Sequence, residues 1–156
     1  MPTTAAQAAV TTGTAIKTLL QLKPFNQAKI TAWGISFDGS AAATPIKVEL
    51  CETGTVFATV TASADADCVK LDGSDQAVAS VAGLTLGTSA TGYTSTSEGS
   101  VTTVREFDVQ FVAPTNQYVY QFPLGQEPVL VIGNAARIRV TAGAAVNAYC
   151  WIEVAI

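Results

Sequence analysis

The sequence predicts an all-β fold, an antiparallel β-sandwich or jelly roll of about eight to ten short strands. Apolar and polar residues alternate with a period of two from Thr14 almost to the C-terminus, as in half-buried strands. Turn residues interrupt this alternation every 8–12 residues or so, at roughly the spacing expected of a sandwich. No long segment shows the 3.6-residue period of an amphipathic helix, and β-branched residues are abundant where helix formers would be needed.

The first half of the chain contains four strand candidates. They are residues 14–22, 28–37, 45–52 and 55–61. In the first, Lys17 and Gln21 fall on the face opposite Leu20 and Leu22, and Pro24 ends the alternation because proline cannot donate to a ladder. Thr53-Gly54 offers a tight connection, so the third and fourth candidates are predicted to pair as a hairpin.

The second half returns to alternation after a less informative stretch. Residues 62–100 are rich in Ala, Ser, Thr, Gly and Asp, and we expect short strands joined by loops there. The later strand candidates are residues 101–112, 117–122, 128–132, 136–142 and 146–155. Residues 14–156 are therefore predicted to form a single β-sandwich domain.

Residues 1–13 are predicted to form a flexible N-terminal arm. They are low in complexity and carry no charged side chain, and their large apolar side chains are Met1 and Val10. Terminal disorder alone would explain such a segment. The functional alternative is an arm that becomes ordered across a neighbouring subunit, with Val10 as its contact.

The composition favours contacts with other protein chains. Charged residues make up 13% of the sequence and mean hydropathy is +0.35, which suggests an apolar surface and oligomerisation. The net charge of −4 and the scattered basic residues disfavour nucleic acid. Arg137 and Arg139, at i and i+2 of one strand candidate, are expected to form a solvated face. No apolar run approaches the roughly 20 residues of a transmembrane helix, so no membrane partner is expected.

Cys51, Cys68 and Cys150 are too few and too irregularly spaced for a disulfide framework. We expect three small buried hydrophobic residues in a reducing compartment such as the cytoplasm. A single Cys51–Cys68 bridge is the alternative.

The chain is predicted not to be an enzyme, with no catalytic residues, metal or cofactor. It contains no histidine, which removes the commonest general base and the usual zinc sites together. Paired carboxylates remain formally able to hydrolyse glycosides, yet most acidic residues fall on outward positions or in loops. One local acidic cluster has the oxygen ligands of a calcium loop, although solvated turn residues explain it more simply. It comprises Asp65, Asp67, Asp72 and Asp75.

Aromatic residues are the candidate contact sites. Tyr118, Tyr120 and Phe122 share one face of a strand, and Tyr149 and Trp151 share a face of another. One buried face of a sandwich or a subunit interface would give this pattern, and the first set together with Trp33 is the candidate subunit or capsid interface. An exposed groove lined by these side chains would instead favour a carbohydrate-binding β-sandwich module.

Several segments resemble small virion proteins of tailed bacteriophages, in particular head decoration, or cement, proteins. The segments are Trp33-Gly34-Ile35-Ser36-Phe37-Asp38-Gly39, Pro45-Ile46-Lys47-Val48-Glu49-Leu50, Phe122-Pro123-Leu124-Gly125-Gln126-Glu127, Arg137-Ile138-Arg139-Val140-Thr141-Ala142 and Ala145-Val146-Asn147-Ala148. The resemblance runs from about Thr14 to the C-terminus and is carried by order and spacing.

The resemblance implies a β-sandwich or jelly-roll subunit that assembles as a homotrimer on the capsid exterior, with the major capsid protein as its partner. It carries no catalytic residues over. A major capsid jelly roll that forms shells alone is a third hypothesis. On the decoration hypothesis, deleting residues 2–13 is expected to weaken capsid attachment and leave the fold intact.

Overall fold

Twelve β-strands account for the regular structure in the part of the chain that the computed structural model describes, residues 2–4, 10–40, 44–69 and 83–156. The all-β prediction is confirmed, since the helical content of those residues is a single 3-10 turn, Asp65–Asp67. The strands are β1 (Pro2–Thr4), β2 (Val10–Thr11), β3 (Lys17–Leu22), β4 (Ala28–Asp38), β5 (Ile46–Glu52), β6 (Thr59–Ala62), β7 (Gly92–Ser97), β8 (Arg105–Val112), β9 (Gln117–Gln121), β10 (Val129–Leu130), β11 (Ala136–Thr141) and β12 (Asn147–Ala155).

The strands form two antiparallel sheets of six strands each. In sheet A the order is β1-β12-β4-β10, with β2 also paired to β12 and β9 also paired to β4. In sheet B the order is β6-β7-β3-β11-β5-β8. The inner faces of the sheets pack together as a sandwich. The strands β8 and β9 are edges of their sheets, and side-chain contacts described below join these two edges.

The core lies between the sheets and follows the period-two pattern. On β12 the alternate residues Ala148, Cys150, Ile152 and Val154 are all buried and belong to the same apolar cluster. On sheet B the cross-strand row Leu20–Ile138–Leu50 faces them and is fully buried. Burial of these side chains supplies the main stabilisation of the fold.

The predicted hairpin between residues 45–52 and 55–61 is wrong. β5 pairs with β8 and β11, and β6 pairs with β7. Almost every residue of β5 is buried, so the strand belongs inside the sheet, where both of its neighbours are long strands. After β5 the amide of Thr53 donates to the Ala135 carbonyl, and the chain leaves along β11 instead of folding back.

The prediction of a solvated outer face on sheet B is also wrong. Arg137 and Gln21 are fully buried, and Arg139 is 7% exposed. Residues before β6 and around β7 cover this face: the Gln21 amide donates to the Ala90 carbonyl at 2.7 Å and accepts from the Ala58 amide at 2.9 Å. Both faces of the central strands are therefore buried.

The described parts of the N-terminal arm add backbone pairing to sheet A. Pro2–Thr4 runs antiparallel to β12, and Val10 pairs with Ala148. Thr12 is fully buried, donates its amide to the Val146 carbonyl at 2.9 Å and accepts from the Val146 amide at 3.0 Å. The arm is thus anchored at its base, and the flexibility of residues 1–13 stays a prediction.

Candidate functional site

A carboxylate joins the two sheets at the β8–β9 side of the sandwich. Asp108 lies on β8 with its side chain turned inward, and its Oδ2 accepts from Trp33 Nε1 at 3.1 Å and from the Tyr118 hydroxyl at 2.8 Å. Its Oδ1 accepts from Gln110 Nε2 at 3.1 Å. The rings of Trp33 and Tyr118 meet edge to face at 5.4 Å between centroids. This network holds the edge strands of the two sheets at a fixed separation.

The Tyr118 phenol remains a hydrogen-bond donor far into the alkaline range. Burial, followed by the hydrogen bond to Asp108 and the charge of that carboxylate, raises the pKa of Tyr118 to about 12. All three donors around Asp108 are therefore neutral groups at neutral pH. Such an arrangement fixes the positions of β8 and β9 relative to each other.

Several large apolar side chains are exposed on the edge strands β8, β9 and β10 and just beyond them. We call this set the apolar side; it consists of Phe111, Tyr120, Leu124, Val129 and Val131. Leu124 is 97% exposed and Phe111 74% exposed, although apolar side chains of this size are usually buried. Exposed apolar side chains of this size mark a candidate interaction surface.

A turn presents Leu124 at the end of β9. The Gln126 amide donates to the Pro123 carbonyl at 2.9 Å, and Gly125 takes the positive φ of 85° that the third position of a type II turn requires. The Gly125 amide donates to Glu127 Oε2 at 2.8 Å. The turn is therefore ordered by its own hydrogen bonds, and it exposes a leucine at its tip.

Arg105 fastens the strand β10 region to the start of β8. Its guanidinium donates to the Val129 carbonyl at 2.6 Å and forms an ion pair with the buried carboxylate of Glu52 at 2.5 Å. Glu52 Oε1 in turn accepts from the Val131 amide at 2.9 Å and from Asn134 Nδ2 at 3.1 Å. Val129 and Val131 are thus displayed from a backbone that is held in place.

The structure separates the four aromatic residues predicted as an interface. Trp33 has no exposed surface and serves the core and the Asp108 network. Tyr118 and Phe122 are half-buried, and Tyr120 is 39% exposed with its ring 5.0 Å from that of Phe122. Only Tyr120 presents a large free surface, and the four side chains do not line a common exposed groove.

The most exposed apolar residues of this side were missed by the sequence analysis. Leu124 lies outside the regular alternation, and Val131, in the strand candidate 128–132, lies just beyond the two residues of β10, so period alone did not assign the exposure of either. The sequence did carry one usable signal, because Leu124 stands between Pro123 and Gly125, and a leucine at a turn tip is exposed.

Charged side chains buried on sheet B pair with one another and with backbone carbonyl groups. Arg137 donates to the Glu98 carbonyl at 3.1 Å and to the Val56 carbonyl, and it pairs with the Glu98 carboxylate at 3.4 Å. Glu98 also accepts from the amide and the hydroxyl of Thr18, both at 2.6 Å. Arg139 forms an ion pair with Glu49. These groups bind one another across strands and serve the stability of the layer.

The cysteines are buried and unbridged, so the Cys51–Cys68 disulfide is absent and the expectation of buried free thiols is confirmed. Burial raises the pKa of Cys51 and of Cys150 to about 12. It raises that of Cys68 to about 11, with Asp67 and Asp65 adding to the effect. Thiols with such pKa values are unreactive at neutral pH.

The structure describes two of the four residues of the acidic cluster. Asp65 and Asp67 lie on the 3-10 turn, and the Ala64 amide donates to Asp67 Oδ2 at 2.8 Å. Asp72 and Asp75 lie outside the described residues. Among the residues that are described, no three His, Cys, Asp or Glu side chains converge on a potential metal position.

Comparison with known protein families, with curated proteins and with solved structures finds no match for this chain. Across the described ranges, no helix has the length and apolar character needed to cross a membrane.

Proposed function

We propose that this chain is a head decoration protein of a tailed bacteriophage, which binds the outer capsid surface as a homotrimer and stabilises the head by linking capsomers. The observation that carries the proposal is the apolar side, where Leu124 and Phe111 are left exposed on ordered backbone. The proposal involves no catalysis. Its partners are the major capsid protein and other copies of this chain.

Three of the five segments that resemble decoration proteins lie on or beside the edge strands that carry the apolar side. Residues 33–39 lie on and just beyond β4, the neighbour of edge strand β9, and residues 122–127 contain the Leu124 turn. Residues 45–50 run into β5, the neighbour of edge strand β8. The other two segments, residues 137–142 and 145–148, belong to β11 and to the start of β12.

The physical basis of attachment is burial of preformed apolar surface. Each Å² of apolar area removed from water contributes about 25 cal/mol, and ordered backbone reduces the entropy lost on binding. Attachment through apolar contacts is expected to depend less on salt than attachment through ion pairs would. A protein that must remain bound under capsid pressure gains from contacts of this kind.

The arm has a defined place in this proposal. Its described strands, β1 and β2, pair with β12 of the same chain. Attachment of the arm to a neighbour therefore requires these pairs to be exchanged for equivalent pairs on the neighbouring subunit, which is a domain swap of short strands. Deleting residues 2–11 separates this contribution from that of Thr12, which belongs to the domain.

Capsid occupancy and oligomeric state test the proposal. Capsids of the encoding virus that lack the protein are mixed with the wild type and with a triple variant, Tyr120→Ser, Leu124→Ser and Val131→Ser, and occupancy is measured by cryo-electron microscopy. Light scattering gives the mass of each protein in solution. Ile16→Ser is the matched control, since Ile16 is 43% exposed and lies away from the apolar side.

We expect the wild type and the control to be trimers that decorate capsids. The triple variant is expected to lose occupancy by about tenfold or more, the equivalent of at least 1.4 kcal/mol. A monomeric wild type that leaves capsids bare would overturn the proposal. Shell formation by the protein alone would identify a major capsid protein instead.

A further inference from the structure

The outer face of sheet A carries a second, chemically different surface. Trp151 on β12 lies opposite Gly34 on β4, and Tyr149 lies opposite Ser36. On the far side of β4, Gly34 is opposite Val119 and Ser36 is opposite Gln117. These residues form two adjacent cross-strand rows on the face that points away from the core, which we call the outer platform.

The indole of Trp151 lies across the sheet because Gly34 leaves room for it. A Cβ added to Gly34 would fall 2.7 Å from both Cε2 and Nε1 of Trp151, closer than any side chain tolerates. The ring therefore covers the glycine and remains partly exposed. Tyr149, two residues away and 38% exposed, stands on the same face about 7 Å along the strand.

Hydrogen-bonding groups without partners surround these rings. The side chains of Ser36 and Gln117 make no hydrogen bond to any other described residue. They border a shallow cavity of about 410 Å³ that is also lined by Phe37, Thr115 and Asn116, and the two aromatic rings of the platform are not part of that lining. Flat aromatic surface next to free hydroxyl and amide groups is the combination that fixes a small polar ligand with apolar faces.

The charges at the border select among such ligands. Glu153 continues the platform beyond Trp151, and Asp38 lies at the other end of the same face. Both are acidic, and Lys29, opposite Ala155 on the same face, offsets one of them, so the border keeps a net negative charge that disfavours an anionic ligand. The face is shallow, and amides and hydroxyls interrupt its apolar groups, which disfavours a protein partner that needs a continuous apolar area.

We propose that the outer platform binds a neutral oligosaccharide, whose sugar rings stack on Trp151 and Tyr149 while their hydroxyls bond to Ser36 and Gln117. Pyranose rings present an apolar face of C–H groups and an equatorial rim of hydroxyls, which matches the two kinds of surface found here. The site is separate from the apolar side and does not depend on capsid attachment.

Tryptophan fluorescence of the full-length protein tests the site directly. Trp33 is fully buried, so a ligand on the outer face perturbs Trp151 alone of the two tryptophans. The probes are malto-, cello-, xylo-, manno- and chito-oligosaccharides, with a sialylated and a uronate-containing oligosaccharide as anionic comparisons. Affinities are confirmed by calorimetry.

We expect the wild type to bind at least one neutral probe, and Trp151→Ala to weaken that binding by about tenfold or more. Gly34→Ala is expected to weaken it as well, because the added methyl group displaces the indole. Phe25→Ala, which removes an exposed aromatic ring elsewhere, is expected to have no effect.

Failure of all neutral probes, preference for the anionic ones, or equal affinity of Trp151→Ala would each overturn the assignment. Loss of the trimer in Trp151→Ala would assign the platform to a subunit interface instead and also overturn it. Measuring capsid occupancy of Trp151→Ala in parallel keeps this test distinct from that of the decoration function, because occupancy is expected to be unchanged.

Discussion

Arg137 shows how single residues govern the stability of sheet B. Its guanidinium is fully buried, and burial lowers its pKa while the Glu98 carboxylate beside it acts in the opposite direction. An arginine keeps its charge in such a setting, so the cation must be compensated by its neighbours. Glu98 and the Val56 carbonyl provide that compensation. Loss of Arg137 or of the Glu98 carboxylate would leave the other polar group without its charged partner.

Replacing Arg137 by Met is therefore expected to lower the free energy of unfolding by about 3 kcal/mol, since one partner of a buried pair is lost. The control is Lys47→Met, which breaks a pair between Glu49 and a lysine that is 37% exposed. That pair is partly solvated and is expected to cost less than about 1 kcal/mol. Urea denaturation measures both values, and equal losses in the two variants would contradict the role of Arg137.

Tyr118 couples the β8–β9 side to pH. Its pKa is about 12 in the folded protein against an ordinary value of 10.0, so the folded state holds the phenolic proton more tightly. The resulting stabilisation is complete below pH 10 and is lost as the pH rises through 12. We expect Tyr118→Phe to remove this part of the alkaline loss of stability. The free energies of unfolding of wild type and variant, measured between neutral pH and pH 12, should converge as the pH rises. A difference that stays constant would contradict the role of the Tyr118 proton.

At the scale of strands, alternation predicted elements better than their pairing. The segments around β4, β5, β11 and β12 were located because their inward residues recur every second position. Pairing depends on whether a strand lies inside the sheet, with two neighbours, or at its edge, with one. That position is a property of the assembled sheet, and alternation along one strand does not show it. Thr53-Gly54 has the composition of a hairpin turn, yet Gly54 accepts from the Ala135 amide and the chain crosses over the sheet.

Alternation also fails to show whether a second face is covered. Gln21 follows the period as an outward residue and is buried by segments distant in sequence. On β8 the inward face carries Asp108 and Gln110, while Phe111 is 74% exposed. The neighbours Trp33 and Tyr118 explain this polarity, and both belong to strands of the other sheet.

Close pairing between β6 and β7 requires a glycine. An added Cβ at Gly92 would lie 2.2 Å from the Thr61 carbonyl oxygen and 2.6 Å from Val60 Cγ2. Gly92→Ala is thus expected to force the strands apart and to lower the free energy of unfolding by about 1–3 kcal/mol. Gly143→Ala is the control, because nothing lies within 4 Å of its added Cβ. Similar thermal midpoints for the two variants would contradict the packing explanation.

At the scale of the molecule, the structure presents two different surfaces on one sandwich. The apolar side joins the edges of both sheets, and the outer platform covers the face of sheet A. Composition indicated an apolar surface in advance, but its location could not be derived, because the pairings that make β8, β9 and β10 edge strands join segments distant in sequence.

The proposed homotrimer predicts how the stability of the protein depends on its concentration. If the apolar side is buried between subunits, folding is linked to association, and apparent stability rises with protein concentration. Each kcal/mol gained raises the melting temperature by about 2–4 °C for a chain of this length. We expect the wild type to melt at a higher temperature when its concentration is raised about 100-fold.

The same concentration series on the Tyr120→Ser, Leu124→Ser and Val131→Ser variant separates association from intrinsic stability. Its melting temperature is expected to be independent of concentration, because the substituted side chains are exposed in the single subunit and contribute little to its core. Ile16→Ser is expected to follow the wild type. A wild-type melting temperature that does not change with concentration would contradict association through the apolar side and show that the subunit folds without partners. The capsid surface would then be the one remaining proposed partner of the exposed Leu124.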